Sequence, residues 1–212
     1  MTVGQELSDL QLDALRELMN IGFGQAAAAL SEVIDLRVVL SVPKITVLRP
    51  EEIPEFMESE VASPTSFSMV EQFFFGRFEG TSFLLLPEDE GRKLAGLFGA
   101  EGTPVPPEIE IGSLERDIVV EIGNIIIGAC VGKIAEMLKD QVVFQAPHFI
   151  ESPIKGGVIE RHLAGTKTLA LVFKTVFHFE RQDVYGFLFL VAAESSLEWM
   201  RGAVDEFLGS LG

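Results

Sequence analysis

The residues best suited to chemistry are two carboxylates and a carboxamide, spaced Asp13-x3-Glu17-x2-Asn20, with 22 residues separating Asn20 from Pro43. The same pattern returns as Asp117-x3-Glu121-x2-Asn124, with 22 residues separating Asn124 from Pro147. All four residues are displaced from their counterparts by 104 positions, which marks an internal duplication. A carboxylate one helical turn from a carboxamide suits a docking-and-positioning task. The carboxylate can pair with a cation on a partner. The carboxamide both donates and accepts hydrogen bonds, so it can hold a water and aim its lone pair. Phosphoryl transfer asks for little more than positioning and charge stabilisation.

The elements that must position these groups are helices. Successive residues turn by about 100°, so i, i+4 and i+7 share a stripe. Asp13, Glu17 and Asn20 fall on one face, as do Asp117, Glu121 and Asn124. The opposite faces read Leu15, Leu18, Met19, Gly22 and Val119, Ile122, Gly123, Ile126, so both helices are amphipathic. Taken alone, either stripe reads as an ordinary solvated face. Its recurrence argues for function, as does an asparagine, a mediocre helix former, twice in mid-helix.

The first helix is expected from a Ser8–Gln11 capping box to about Ser31. Leu36–Leu48 reads as a strand interrupted by Pro43, which marks an edge, bulge or bend. The acidic stretch Pro50–Pro64 is a loop or short helix. Phe67–Phe78 and Thr81–Leu86 form a hairpin about Glu79-Gly80, and Glu88–Phe98 is a helix. The second half repeats the plan. Leu114–Leu138 is a helix, Val142–Ile150 a strand and Ser152–Ala164 irregular. Thr168–Phe179 and Tyr185–Val191 make a hairpin, and Glu194–Leu208 a closing helix with Trp199 and Phe207 turned to the core. Phe83–Leu86 aligns with Phe187–Leu190 at the same offset of 104. Small residues at Gly24 and Ala28, matched by Gly128 and Gly132, would let the two long helices approach each other or the sheet. The fold class is therefore α+β: one pseudo-twofold domain over 1–212, long helices on a largely antiparallel sheet, with repeats 8–99 and 112–209 joined by a proline-rich linker at 100–111.

Composition narrows the function. The 212 residues are 48% hydrophobic, enough for a sizeable core. A net charge of −16 disfavours nucleic acid and anionic membranes as partners. The lone cysteine, Cys130, lies in an apolar run; it allows no intrachain disulfide and reads as an inert core thiol in a reducing compartment. No signal peptide and no run of 18 consecutive apolar residues is present, so a cytoplasmic protein without membrane insertion is expected. P-loop, dinucleotide and zinc-protease motifs are absent, and His148, His162 and His178 show no metal-ligand spacing. No cofactor or metal bound by this chain is expected.

The paired D-x3-E-x2-N motifs, each with its proline, are similar to the signature of the CheC/CheX/FliY family of bacterial chemotaxis phosphatases. Asn20-Ile21-Gly22-Phe23-Gly24-Gln25-Ala26-Ala27, Gly123-Asn124-Ile125 and Arg49-Pro50-Glu51-Glu52-Ile53-Pro54 add to the resemblance, which covers nearly the whole chain. Two intact copies in a chain of this length resemble the CheC type. The resemblance implies hydrolysis of the aspartyl phosphate of a CheY-type response regulator. Glu17 and Glu121 would bridge to a regulator lysine, and Asn20 and Asn124 would position the attacking water. Asp13 and Asp117 would support or dock, Pro43 and Pro147 would shape the backbone, and Mg²⁺ would reside in the regulator. It also brings in the deamidase CheD as a further partner. The alternative is a non-catalytic adaptor of the same fold, binding a response regulator, CheD or a flagellar switch protein. The sequence departs from the family at Met19, where glycine is usual, and Ile126 replaces the glycine of the first copy, Gly22.

Overall fold

The structure, a computed structural model, describes residues 7–61, 67–87, 90–91, 93–94, 111–151, 170–180 and 184–209. Helix α1 (Asp9–Ile34) opens with the expected capping box. The Ser8 amide donates to Gln11 Oε1 at 3.0 Å and the Gln11 amide to Ser8 Oγ at 3.2 Å. The helix ends three residues later than expected, where Asp35 turns left-handed at φ 53°. The second long helix, here α3 (Ile111–Met137), is followed by Lys139 at φ 57°, 104 residues after Asp35. The duplicated helices thus share a stop as well as a stripe. Their apolar faces are sealed as the periodicity predicts: Leu15, Leu18, Met19, Val119, Ile122 and Ile126 are all buried.

Between the long helices lie β1 (Val38–Leu40), β2 (Lys44–Leu48), a 3₁₀ turn at Pro50–Glu52, α2 (Ile53–Glu60), β3 (Phe67–Phe75) and β4 (Gly80–Pro87). After α3 come β5 (Val143–Phe144), β6 (His148–Glu151), β7 (Ala170–Phe179), β8 (Val184–Ala192) and the closing helix α4 (Glu194–Gly209). The linker at 100–110, the irregular passage 152–164, most of the 88–98 helix and the Phe207 side chain lie outside the described residues. Trp199 is partly buried against the core, as expected.

All eight strands among the described residues join one sheet in the order β1-β7-β8-β4-β3-β5, with β2 also on β7 and β6 also on β3, and every described pairing is antiparallel. Exchanging each strand for its repeat counterpart reproduces that order in reverse. The pseudo-twofold axis therefore passes between β4 and β8, where Leu84 stands opposite Leu188, its own counterpart. Each half sends its proline-bearing strands onto the hairpin of the other half. One face of the sheet is covered by α1, α3 and α4, burying Phe23, Phe74, Phe173 and Phe177. The other face is covered by α2 and Val61, over Met69, Phe83, Phe187 and Phe189.

The prolines mark the same irregularity in both halves. From Leu40 to Lys44 the chain takes four steps while its partner β7 takes three, Phe177 to Lys174. From Phe144 to His148 it again takes four while β3 takes three, Phe74 to Glu71. A proline has no amide to offer the ladder, and one extra residue at that point is a β-bulge. The carbonyl two residues before each proline is then satisfied from inside the sheet. Thr175 Oγ1 donates to the Ser41 carbonyl at 2.7 Å, and Gln72 Nε2 to the Gln145 carbonyl at 2.9 Å. Ser41 and Gln145 are 104 apart, whereas Gln72 and Thr175 are 103 apart. The constant offset thus holds at the helices and prolines and slips by one on the first hairpin strand.

Candidate functional site

Both polar stripes emerge on the outer face of their helices. Asp13, Glu17, Asn20, Asp117 and Glu121 are exposed and Asn124 is half-buried. Asp13 is held by Arg16 Nη1 at 2.6 Å. Among the described residues Glu17, Glu121 and Asp117 form no ion pair, so their carboxylates remain available to a partner's cation. The helices α1 and α3 pack against each other, which sets the two stripes on one layer of the molecule. The contact runs through Gly22, where an added Cβ would come within 3.2 Å of Met137 Sδ. The small residues singled out by spacing do not make it: nothing lies within 4 Å of a Cβ built on Gly24, Gly128 or Gly132. Glycine at those positions faces open space, so their recurrence is not a packing seam.

The two asparagines differ in their surroundings. Asn124 Oδ1 accepts a hydrogen bond from Gln72 Nε2 at 2.8 Å. For Asn20 no side-chain hydrogen bond is found among the described residues. Gln72, buried mid-strand in β3, carries no motif; only its polarity in an apolar run (Ser68-Met69-Val70-Glu71-Gln72-Phe73-Phe74) could have flagged it. Pro43 is buried and Pro147 half-buried, each at its bulge and neither on a stripe. Cys130 is fully buried, and burial pushes its thiol well above the usual range, so it is no nucleophile. A pocket of about 170 Å³ is lined by Phe73, Phe75, Glu79, Gly80, Thr81, Val191, Ala192 and Ala193, and neither stripe contributes to it. The stripes are surface features, suited to a protein surface as partner. Among the described residues no group of three or more His, Cys, Asp or Glu side chains could hold a metal ion.

Within Arg116–Met137 an 18-residue window is apolar enough to cross a membrane, with a mean hydropathy of 1.9. In the fold half of its apolar window is buried, packed on α1 and β3, and its outer face displays Asp117 and Glu121.

Residues 10–47, which contain Asp13, Glu17, Asn20 and Pro43, match the model of the CheC-like family. Among individual relatives, the chain is 23% identical over 212 residues to the CheY-P phosphatase CheC of Bacillus subtilis (strain 168), covering 93% of this chain and 95% of that one. It is 24% identical over 143 residues to the flagellar motor switch phosphatase FliY of the same strain, covering 67% of this chain. The match spans only 36% of FliY. In three dimensions it resembles FliY of Thermotoga maritima, with a TM-score of 0.69 at 16% identity, covering 95% of this chain and 99% of that one. It also resembles H. pylori FliM from a FliG–FliM complex, with a TM-score of 0.59 at 13% identity, covering 92% and 99%. At such identities the structural likeness speaks for the fold alone.

Proposed function

We propose that this protein hydrolyses the aspartyl phosphate of a CheY-type response regulator. The observation that carries the reading is the pair of outward-facing Glu-x-x-Asn stripes, with Glu17, Asn20 and Glu121 exposed and Asn124 half-buried, each on a helix whose other face is sealed in the core. The relatives' names agree with it: one is a CheY-P phosphatase and another a flagellar motor switch phosphatase. In this mechanism Glu17 or Glu121 pairs with a lysine of the regulator and docks the helix over its phosphorylated aspartate. Asn20 or Asn124 then holds a water in line with the phosphorus–oxygen bond. The water oxygen attacks phosphorus, the bond to the aspartate oxygen breaks, and the aspartate leaves as carboxylate. Phosphate departs, and the surplus water proton passes to it or to solvent. The Mg²⁺ that neutralises the phosphoryl oxygens belongs to the regulator. The work of this chain is orientation and docking, which is most of what phosphoryl transfer requires. A protein partnered in this way works in the cytoplasm, and CheD is a further partner consistent with the family.

The second reading is a non-catalytic adaptor at the flagellar switch. The fold likeness to FliM, solved in complex with FliG, favours it. The two readings separate on one measurement: phosphate release from a panel of phosphorylated response regulators with Mg²⁺. Accelerated release by substoichiometric protein supports the phosphatase. Binding to a regulator with no acceleration assigns the adaptor role.

A further inference from the structure

We infer that Gln72 is a positioning residue for Asn124, so that the two stripes are a preorganised site and an untethered one. The activity arm of this inference rests on the phosphatase reading; its structural arm does not.

The orientation of both amides follows from one acceptor. A backbone carbonyl can only accept, so the group that Gln72 presents to the Gln145 carbonyl at 2.9 Å is its nitrogen. The same nitrogen stands 2.8 Å from Asn124, which must therefore present its oxygen. Asn124 is left with its Nδ2 donors as the free end of the amide, and they have no partner among the described residues. Gln72 is 1% exposed, and its own Oε1 has no hydrogen-bond partner among the described residues. An orphaned buried acceptor is costly, and a residue that tolerates one in a strand interior invites a functional explanation.

The helix was brought within reach by the residue before the asparagine. A Cβ on Gly123 would stand 2.9–3.0 Å from the Val70 side chain. Glycine there lets α3 lie close on β3, and Val70 and Gln72, two residues apart, share the face of β3 turned to that helix. The other half lacks both components. Met19, buried at 1% exposure, occupies the place of Gly123, and α1 makes its main strand contacts with β1 and β2. Thr175 occupies the place of Gln72, and its hydroxyl serves the Ser41 carbonyl. Asn20 stays exposed, with no tether among the described residues.

The decisive variant borrows the residue of the other half. Gln72→Thr keeps a donor for the bulge carbonyl and is too short to hold Asn124; Gln72→Met, which removes both donors at similar volume, is the second variant. With Asn20→Ala isolating the second stripe, Gln72→Thr should lower kcat for phosphate release about 3- to 10-fold, the worth of one hydrogen bond, at unchanged KM. The loss should vanish when Asn124 is already alanine, since the two residues act as one unit. Independently of activity, side-chain amide NMR relaxation should find Asn124 more rigid than Asn20, and Gln72→Thr should erase the difference. Equal mobility of the two amides in the unmodified protein would overturn the inference. So would an undiminished kcat, or a loss that persists with Asn124 as alanine and tracks a lowered melting temperature. If no variant and no parent protein releases phosphate, the phosphatase reading fails, and the NMR comparison still decides the role of Gln72.

Discussion

At the scale of single residues, the mechanism predicts two separable sites. Removing one positioned hydrogen-bonding group from an active site typically costs about 10²–10³ in rate. A one-site enzyme would lose nearly all turnover with one asparagine. Here Asn20→Ala should leave what the Asn124 stripe supplies, and Asn124→Ala what the Asn20 stripe supplies, while the double variant falls by the full factor. Stopped-flow or steady-state phosphate release from a phosphorylated regulator reads this directly. A single variant as inactive as the double would remove the two-site reading. Glu17 and Glu121 make a different prediction. Each is exposed and free of ion pairs among the described residues, and the proposed mechanism gives each a docking role. Glu→Gln at both positions should raise KM more than it lowers kcat, and the effect should shrink at high salt, because exposed charges are screened over roughly 8 Å at physiological ionic strength.

At the scale of elements, the approach of α3 to β3 is the sensitive feature. Gly123→Ala adds one methyl where the Val70 side chain stands 2.9–3.0 Å away. Alanine is the better helix former by about 1 kcal/mol, but overpacking costs about 1–3 kcal/mol. Chemical denaturation should therefore show net destabilisation of up to about 2 kcal/mol, the difference of those terms. The same methyl pushes α3 outward, lengthening the Gln72–Asn124 bond, so activity of the second stripe should fall with stability. A stabilised variant would mean that Val70 can give way and that the close approach is incidental. Gly128→Ala, with nothing within 4 Å of the new Cβ, is the matched control and should stabilise by helix propensity alone.

At the scale of the whole molecule, the two halves are held by exchange as well as by core. Glu60 at the end of α2 pairs with Lys44 from its own half and with Lys174 on β7, at 3.1 Å, from the other. Burial alone would raise the Glu60 pKa; the Lys44 and Lys174 ammoniums outweigh it and hold the carboxyl below its ordinary value of 4.5. A carboxylate depressed on folding stabilises the native state above its unfolded pKa, and that contribution is lost as pH falls through the folded value. Glu60→Gln should therefore cost about 1–3 kcal/mol at pH 7 and progressively less below about pH 4.5, read as the difference between two denaturation series. A difference independent of pH would show that Glu60 acts by packing rather than charge.

The local parts of this protein were legible in the sequence because their signals are local. The capping box at Ser8, the apolar stripes through Leu15 and Val119, the prolines that split each strand and the existence of the first hairpin all depend on neighbours within a few turns, although the hairpin's connection falls at 76–79, with Gly80 already paired to Phe74, rather than at Glu79-Gly80. The duplicated stripe was legible too, since 104 residues separate every member from its copy. Tertiary structure alone decided which hairpin each proline strand joins, because strand partners are chosen by long-range packing that periodicity does not encode. It alone turned the expected small-residue seam into open surface at Gly24, Gly128 and Gly132 and moved the close approaches to Gly22 and Gly123. It also made Gln72 a partner of Asn124, 52 residues away in the chain. No spacing rule links a strand residue to a helix residue across a fold. The contact exists because a glycine lets α3 close on the sheet, and the methionine in the matching place on α1 accompanies its absence there.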